Sequence, residues 1–231
     1  MGYAKDRERY RNMLFNSYLF IFLFLPAVLL GWYGLNKLGR YKLAELFLAG
    51  MSLWFYGYFN TYYLLVITGS ILVNFFLSYA LQFSKTKRTR HIGLAAGIAV
   101  NLGILFYFKY FDFFIENINY VFRSDFNLKH ILLPLGISFF TFQQLSFIID
   151  RCTGAAKHYS FTDYLTFVTF FPQLIAGPIV LYKEILPQFE NKANRGFSPA
   201  NFAKGLSLFV LGLGKKVLLA DVLALLTNFG F

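Results

Sequence analysis

Charged residues are scarce in this sequence, and acidic ones are the scarcest. Only 14% of its 231 residues are charged, with 11 Asp and Glu against 22 Lys and Arg. A soluble domain of this size usually carries about a quarter of charged residues, because its surface must be wetted. The deficit excludes a soluble globular enzyme and predicts a chain whose surface mostly faces lipid.

Cysteine and histidine are also rare. The single cysteine, Cys152, excludes an intrachain disulfide and a cysteine-based metal site. The three histidines, His91, His130 and His158, are far apart in the sequence. No His-x-x-x-His, paired-carboxylate or Cys/His spacing is present, so the sequence predicts no metal site.

Apolar and aromatic residues are abundant instead. Hydrophobic residues make up 57% of the chain and aromatic residues 21%, including 31 Phe and 16 Tyr. The net charge of +11 comes from basic residues in short loops between apolar runs. This pattern is typical of cytoplasmic loops that face an anionic leaflet, whereas nucleic-acid binding needs Lys and Arg on one wetted face. We therefore expect a lipid bilayer as partner and no nucleic acid.

The apolar runs predict an all-α, polytopic transmembrane protein. A spanning helix needs about 20 apolar residues. Six to seven membrane segments are predicted, at residues 14–35, 43–59, 62–83, 92–114, 131–149, 164–181 and 202–226. The segment 164–181 contains Pro172 and Gly177-Pro178, so we expect it to be broken or re-entrant.

The basic loops predict the orientation. Lys85, Lys87, Arg88, Arg90 and His91 form the densest basic loop, which is expected to be cytoplasmic. Counting along the chain places the loops at 37–42 and 150–161 on the same side and the loop at 116–130 outside. The basic stretch 182–204 is also predicted inside, which holds if 164–181 enters and returns without crossing. The basic residues near the N-terminus conflict with this count, unless Met13 is the natural start.

Two stretches place polar side chains among large apolar residues near a proline. They are 133–144 (LPLGISFFTFQQ) and 170–179 (FFPQLIAGPI). Their polar groups either hold helices together or line a buried substrate passage, and the residue types leave both interpretations open. The passage candidates are Ser138, Thr141, Gln143, Gln144, Pro172, Gln173, Gly177 and Pro178.

Ionisable residues near or within apolar runs give two further predictions. Asp112 lies three residues after Lys109, so a local ion pair is expected. Lys215, Lys216 and Asp221 lie deeper in an apolar run, where charged groups are functional candidates. The six-residue offset from Lys215 to Asp221 places them on different helix faces, and the alternative is a helix that breaks near Gly214.

Long ordered blocks of the sequence resemble the membrane-bound O-acyltransferase family, specifically its alginate O-acetyltransferase branch. The blocks are 133–150 (LPLGISFFTFQQLSFIID), 167–189 (FVTFFPQLIAGPIVLYKEILPQF) and 205–221 (GLSLFVLGLGKKVLLAD), with 13–26 and 54–60 (WFYGYFN) also similar. The resemblance covers the chain from residue 13, so residues 1–12 are expected to be an N-terminal extension and residues 13–231 the N-terminal half of the acyltransferase domain.

The resemblance implies an enzyme in the inner (cytoplasmic) membrane, crossing it several times. It implies transfer of an acetyl group from acetyl-CoA or an acylated carrier to an extracytoplasmic polysaccharide hydroxyl, with no bound cofactor. A secreted or periplasmic acetyltransferase is an expected partner. The family's essential histidine lies beyond Phe231, and none of this chain's histidines matches it, so this chain alone is expected to be inactive.

A transporter or flippase and a structural membrane subunit remain alternative functions. Transporters usually pair broken segments in two repeated halves, whereas this chain shows one pronounced break and no repeat.

Overall fold

A computed structural model describes residues 15–84, 86–154, 159–175, 177 and 180–224. Every regular element within these residues is a helix, which confirms the all-α prediction. We number them α1 (Phe20–Lys37), α2 (Tyr41–Phe59), α3 (Thr61–Gln82), α4 (Lys87–Phe122), α5 (Ile137–Thr153), α6 (Phe161–Thr169), α7 (Phe171–Leu174), α8 (Tyr182–Glu190) and α9 (Pro199–Gly214).

Three π-helical turns occur among the described residues. These turns are Phe20–Phe24 at the start of α1, Phe106–Tyr110 inside α4 and Lys215–Ala220 directly after α9. A short 3₁₀ turn, Lys192–Asn194, precedes α9.

Within the described residues, three helices are long and apolar enough to cross a membrane. They are α1 with 18 residues, α3 with 22 and α4 with 36. The chain is therefore a polytopic membrane protein. The other helices of the described ranges are shorter or less apolar, and the larger number of six to seven membrane segments stays a prediction.

Side-chain caps define where several helices begin. Asn60 accepts a hydrogen bond from the amide of Tyr62 at the start of α3, and Thr86 and Ser198 cap α4 and α9 in the same way. At the start of α6, Ser160 and Asp163 each accept from the other's backbone amide. These bonds satisfy amide groups that a helix N-terminus otherwise leaves without partners.

The chain divides into two compact units. One comprises residues 45–190 and the other residues 1–44 together with 191–231. In the latter unit the rings of Tyr33 and Phe197 meet edge-on at 5.5 Å, and the guanidinium of Arg195 lies 4.3 Å from the centroid of the Tyr41 ring.

The unit of residues 45–190 is built on α3, α4 and α5. Arg151 Nη2 at the end of α5 donates to Gln82 Oε1 at the end of α3 at 2.7 Å. The Cys152 thiol lies 3.9 Å from the carbonyl oxygen of Arg90 at the start of α4. The end of α3, the start of α4 and the end of α5 therefore lie at the same end of the bundle, as the charge pattern predicts.

The prediction of an ion pair between Lys109 and Asp112 is wrong. Both carboxylate oxygens of Asp112 accept backbone hydrogen bonds instead, from Lys129 at 2.9 Å and from Ile131 at 3.0 Å. Lys109 Nζ lies 5.3 Å from the centroid of the Tyr110 ring. The π-helical turn just before Asp112 widens the helix, so residues three apart no longer share a face.

The alternative of a helix break near Gly214 is also wrong. The chain continues from α9 into the π-helical turn Lys215–Ala220. In a π-helix residues five apart come together. Lys216 Nζ accordingly lies 2.9 Å from Asp221 Oδ2, and this pair is about half exposed.

Candidate functional site

A buried polar cluster links α3, α5 and α6. Gln144 Nε2 donates to Ser70 Oγ at 3.1 Å, and the Tyr164 hydroxyl donates to Gln144 Oε1 at 3.2 Å. All three side chains are buried. Gln144 therefore bonds two other helices through both ends of its amide, which is the behaviour of a group that holds helices together.

Two asparagines extend this cluster to α4. Asn74 Nδ2 donates to Asn101 Oδ1 at 3.2 Å, and Asn101 Nδ2 donates back to Asn74 Oδ1. Each amide also donates to a backbone carbonyl one turn earlier on its own helix, that of Ser70 and that of Gly97. Buried side-chain amides need hydrogen-bond partners. In this reciprocal pair each amide serves as both donor and acceptor for the other.

Helix α6 ends at a sharp break, as the sequence predicts. Phe170 leaves the helical conformation with ψ 107°, and the short helix α7 begins at the next residue. Pro172 has no amide hydrogen to continue the α6 pattern. The break follows from the proline together with the extended backbone of Phe170.

Side chains satisfy the backbone groups at the break. The amide of Phe171 donates to Ser52 Oγ of α2 at 3.3 Å. Gln173 Nε2 reaches back and donates to the carbonyl oxygen of Phe167 at 2.9 Å. Irregular backbone inside a membrane protein is stable only where protein or a wet cavity supplies such partners.

After the break the chain turns back on itself. The ring of Tyr182, eight residues beyond Leu174, meets the ring of Phe167 edge-on at 5.4 Å and that of Phe147 at 4.8 Å. The break in 164–181 is therefore confirmed, and a re-entrant course of this segment in the membrane stays a prediction.

The two polar stretches predicted from the sequence contact each other. Gly136, directly before α5, has φ +70°, and a β-carbon there would collide with the carbonyl oxygen of Leu174 at the end of α7. The Tyr56 hydroxyl of α2 donates to the carbonyl oxygen of Leu135 at 2.6 Å. The start of α5 is therefore held against both α7 and α2.

The remaining passage candidates differ in how far they are buried within the protein. Thr141 and Gln173 are buried, Ser138 and Gly177 are half-buried, and Pro172 is exposed. Pro178 lies outside the described residues. A passage role for these side chains stays a prediction.

Gln143 differs from the other buried amide side chains of the unit of residues 45–190. It is only 2% exposed, yet its Oε1 has no hydrogen-bond partner in the part of the chain that the structure describes. A buried acceptor without a partner is costly, and it points to a ligand or water group at this position.

Sequence reasoning missed the polar residues of α3. Ser70, Asn74 and Ser78 follow each other at intervals of four residues on an otherwise apolar helix, so they share one face. That spacing was the available signal. Ser78 Oγ lies 2.9 Å from the hydroxyl of Tyr159. The guanidinium of Arg151 lies 4.7 Å from the centroid of the Tyr159 ring.

Comparison with known families agrees with this architecture. The family model of MBOAT, the membrane-bound O-acyltransferase family, matches residues 17–231. The chain belongs to this family. The match includes both polar stretches, the broken helix and the π-helical turn after α9.

Several curated relatives are similar to nearly all of this chain. A peptidoglycan O-acetyltransferase of Helicobacter pylori is 38% identical over 245 residues, covering 95% of this chain and 46% of the relative. A probable alginate O-acetylase, AlgI, of Pseudomonas aeruginosa is 37% identical over 226 residues, covering 95% and 42%. The chain thus spans less than half the length of these relatives.

A teichoic acid D-alanyltransferase of Streptococcus thermophilus shows a weaker similarity, 28% over 94 residues. No solved structure matches the chain significantly.

Proposed function

We propose that this chain forms the N-terminal part of a membrane O-acyltransferase that transfers acetyl groups to a polysaccharide hydroxyl. The donor is acetyl-CoA or an acylated carrier on the cytoplasmic side, and the acceptor lies outside. Family membership supports the reaction class, and the names of the relatives support polysaccharide acceptors of the peptidoglycan or alginate type.

The observation that carries this proposal is the match of the membrane-bound O-acyltransferase family model to residues 17–231. The group that we assign to substrate contact is the buried oxygen of Gln143 on α5, which has no partner among the described residues. The helix that carries it begins at the contact between Gly136 and Leu174, where the two polar stretches meet. A carbonyl oxygen accepts hydrogen bonds, and the pantetheine arm of CoA and sugar hydroxyls both donate them. In this proposal Gln143 contacts the substrate, while Gln144 and Gln173 hold the walls in place.

The proposal assigns the general base to another segment. His91 lies in the first turns of α4 and His130 in the loop that Asp112 holds, and both side chains are exposed. His158 lies outside the described residues. None of the three matches the family's histidine, so acetyl transfer by the 231-residue chain alone is not expected.

A chimera tests the proposal. This chain is fused to the part of Pseudomonas aeruginosa AlgI that follows the aligned region, and expressed in cells that lack their own alginate O-acetylase. Acetyl esters on secreted alginate are measured for the chimera and for the 231-residue chain alone. We expect esters only with the chimera. Transfer by the chain alone, or a membrane-inserted chimera without activity, would contradict the proposal.

Substitution of Gln143 in the chimera tests the proposed contact. Gln143→Leu keeps the size of the side chain and removes the acceptor, so we expect a several-fold loss of acetylation at an unchanged protein level. Gln188→Leu is the matched control, because Gln188 is an exposed glutamine of α8. Equal activity of both variants would show that Gln143 does not contact the substrate.

We also propose an inner-membrane location and a secreted or periplasmic acetyltransferase as a partner. A cytoplasmic donor requires the membrane that borders the cytoplasm. An extracytoplasmic acceptor brings the reaction to the side on which a periplasmic acetyltransferase works. Membrane fractionation and co-purification with tagged periplasmic acetyltransferases test these two points.

A further inference from the structure

Helix α4 is longer than a membrane crossing requires. Its 36 residues span about 54 Å at about 1.5 Å per residue. The hydrocarbon core is about 30 Å thick and takes about 20 residues. Counted from Ile92, directly after the basic turn 87–91, the core ends near Phe111. The segment Phe111–Phe122, which we call the outer arm, therefore extends beyond the hydrocarbon.

The outer arm exposes large aromatic rings. Tyr120 is 87% exposed, Phe122 75% and Phe113 64%, and Phe126 in the following loop is 58% exposed. Rings of this size are unfavourable in bulk water. They are the residues that collect at the headgroup level of membranes.

One face of the outer arm, flanked by these rings, is polar and binds the following loop. Asp112 and Asn119, seven residues apart, share this face. Asn119 accepts from the amide of Phe126 and donates to its carbonyl oxygen, both at 2.9 Å. Asp112 accepts from the amides of Lys129 and Ile131.

The loop is also bound to the arm through a cation–π contact. Lys129 Nζ lies 5.0 Å from the centroid of the Phe111 ring. Together with the backbone bonds to Asp112 and Asn119, it keeps residues 123–131 alongside the arm. The arm and this loop therefore form one unit, and Ile131 leads from it directly into the turn at Gly136.

We propose that the outer arm and residues 123–131 lie in the headgroup layer of the outer leaflet, with phospholipid headgroups as the partner. Aromatic rings beside Lys, Asp and Asn side chains suit that layer, where one side is apolar and the other wet. In this position the outer arm and residues 123–131 keep the turn before α5 at a constant depth in the membrane. The assignment to the outer leaflet rests on the basic loops being cytoplasmic.

Nitroxide depth measurements test this location. The Tyr120→Cys variant is labelled with a nitroxide and reconstituted into vesicles of phosphatidylethanolamine and phosphatidylglycerol. The collision rates of the nitroxide with oxygen and with a water-soluble nickel chelate are then compared. Cys152 is buried, so the unchanged chain controls for background labelling. Leu102→Cys serves as the deep reference, since Leu102 is exposed near the middle of the crossing. Free nitroxide in buffer is the water reference.

The label at position 120 is expected at an intermediate depth, with nickel collisions several-fold above those at position 102 and several-fold below those in buffer. A label as accessible as free nitroxide would overturn the proposal and indicate an arm in solvent, available to a glycan. A label as deep as that at position 102 would also overturn it and indicate a strongly tilted helix. Acyl transfer is not measured, so either outcome leaves the proposed function standing.

A second variant tests the role of Asp112. Asp112→Ala removes both acceptor oxygens. A label at His130→Cys, between the two residues that Asp112 binds, is expected to become more mobile while the depth at position 120 stays the same. Unchanged mobility at position 130 would show that Asp112 does not hold this part of the loop.

Discussion

Gly136 packs directly against the carbonyl oxygen of Leu174, with no room for a β-carbon between them. This contact joins the turn before α5 to the end of the broken helix. Gly136 also has φ +70°, a left-handed conformation that side chains disfavour. One glycine thus meets two independent requirements at the point where the two polar stretches meet.

Gly136→Ala is expected to lower the stability of the protein more than a matched substitution elsewhere. The left-handed backbone alone costs about 1–2 kcal/mol, and the collision with Leu174 adds to this cost. Gly154→Ala is the control, because Gly154 has φ +84° and nothing within 4 Å of its β-carbon position. Thermal unfolding in detergent measures both variants, and equal shifts would contradict the close contact.

The reciprocal amide pair of Asn74 and Asn101 predicts a non-additive double mutant. Asn101→Leu leaves a buried amide on α3 without its partner, at a cost of about 1–3 kcal/mol. Replacing both asparagines by Leu removes the unsatisfied group, so the double variant is expected to lose less stability than the two single losses combined. Simple additivity of the unfolding midpoints would show that the two amides do not bond each other.

Gln173→Leu tests the account of the helix break. The substitution leaves the carbonyl of Phe167 without this donor, which is expected to cost about 1–3 kcal/mol. Gln188→Leu removes an amide that donates to the carbonyl of Glu184 on the exposed side of α8, where water replaces the lost bond. A thermal shift for Gln173→Leu no larger than for Gln188→Leu would count against the bridging role.

Tyr182 predicts a loss of stability in alkaline solution. Burial raises the pKa of its phenol in the folded protein, whereas the unfolded chain ionises near its ordinary pKa of about 10. The contribution to stability is therefore complete below about pH 10 and is lost as the pH rises further.

Tyr182→Phe is expected to be as stable as the unchanged protein at neutral pH, because the hydroxyl has no hydrogen-bond partner among the residues described. Unfolding midpoints measured between pH 8 and about 11 should then fall less steeply for the variant. Identical slopes would contradict the assigned burial.

Local patterns decided which features could be predicted. Residue type and spacing over short stretches predict membrane insertion, the helical class and the break at Pro172. The reason is that lipid offers no hydrogen bonds, so a spanning helix must pair its backbone N–H and C=O groups within its own segment. The orientation of the basic loops relative to each other follows from counting helices. The end of α3 and the start of α4 both contact the end of α5, as that count requires.

Polar partners could not be predicted in this way. Gln143 and Gln144 are neighbours of the same residue type, yet Gln144 bonds Ser70 and Tyr164 while Gln143 Oε1 has no partner within the described ranges. Adjacent residues of a helix point about 100° apart, so they meet different helices. Which helix each one meets depends on packing.

The sequence by itself determined that this protein belongs in a bilayer, that it is helical and where its backbone breaks, because hydrophobicity and proline act on the chain locally. Only the tertiary structure decided that Asp112 binds a loop 17 residues away and that Lys216, not Lys215, pairs with Asp221. Both outcomes depend on π-helical turns and on long-range contacts. A π-helical turn changes which residues share a face of the helix, and the sequence pattern does not show where such a turn occurs.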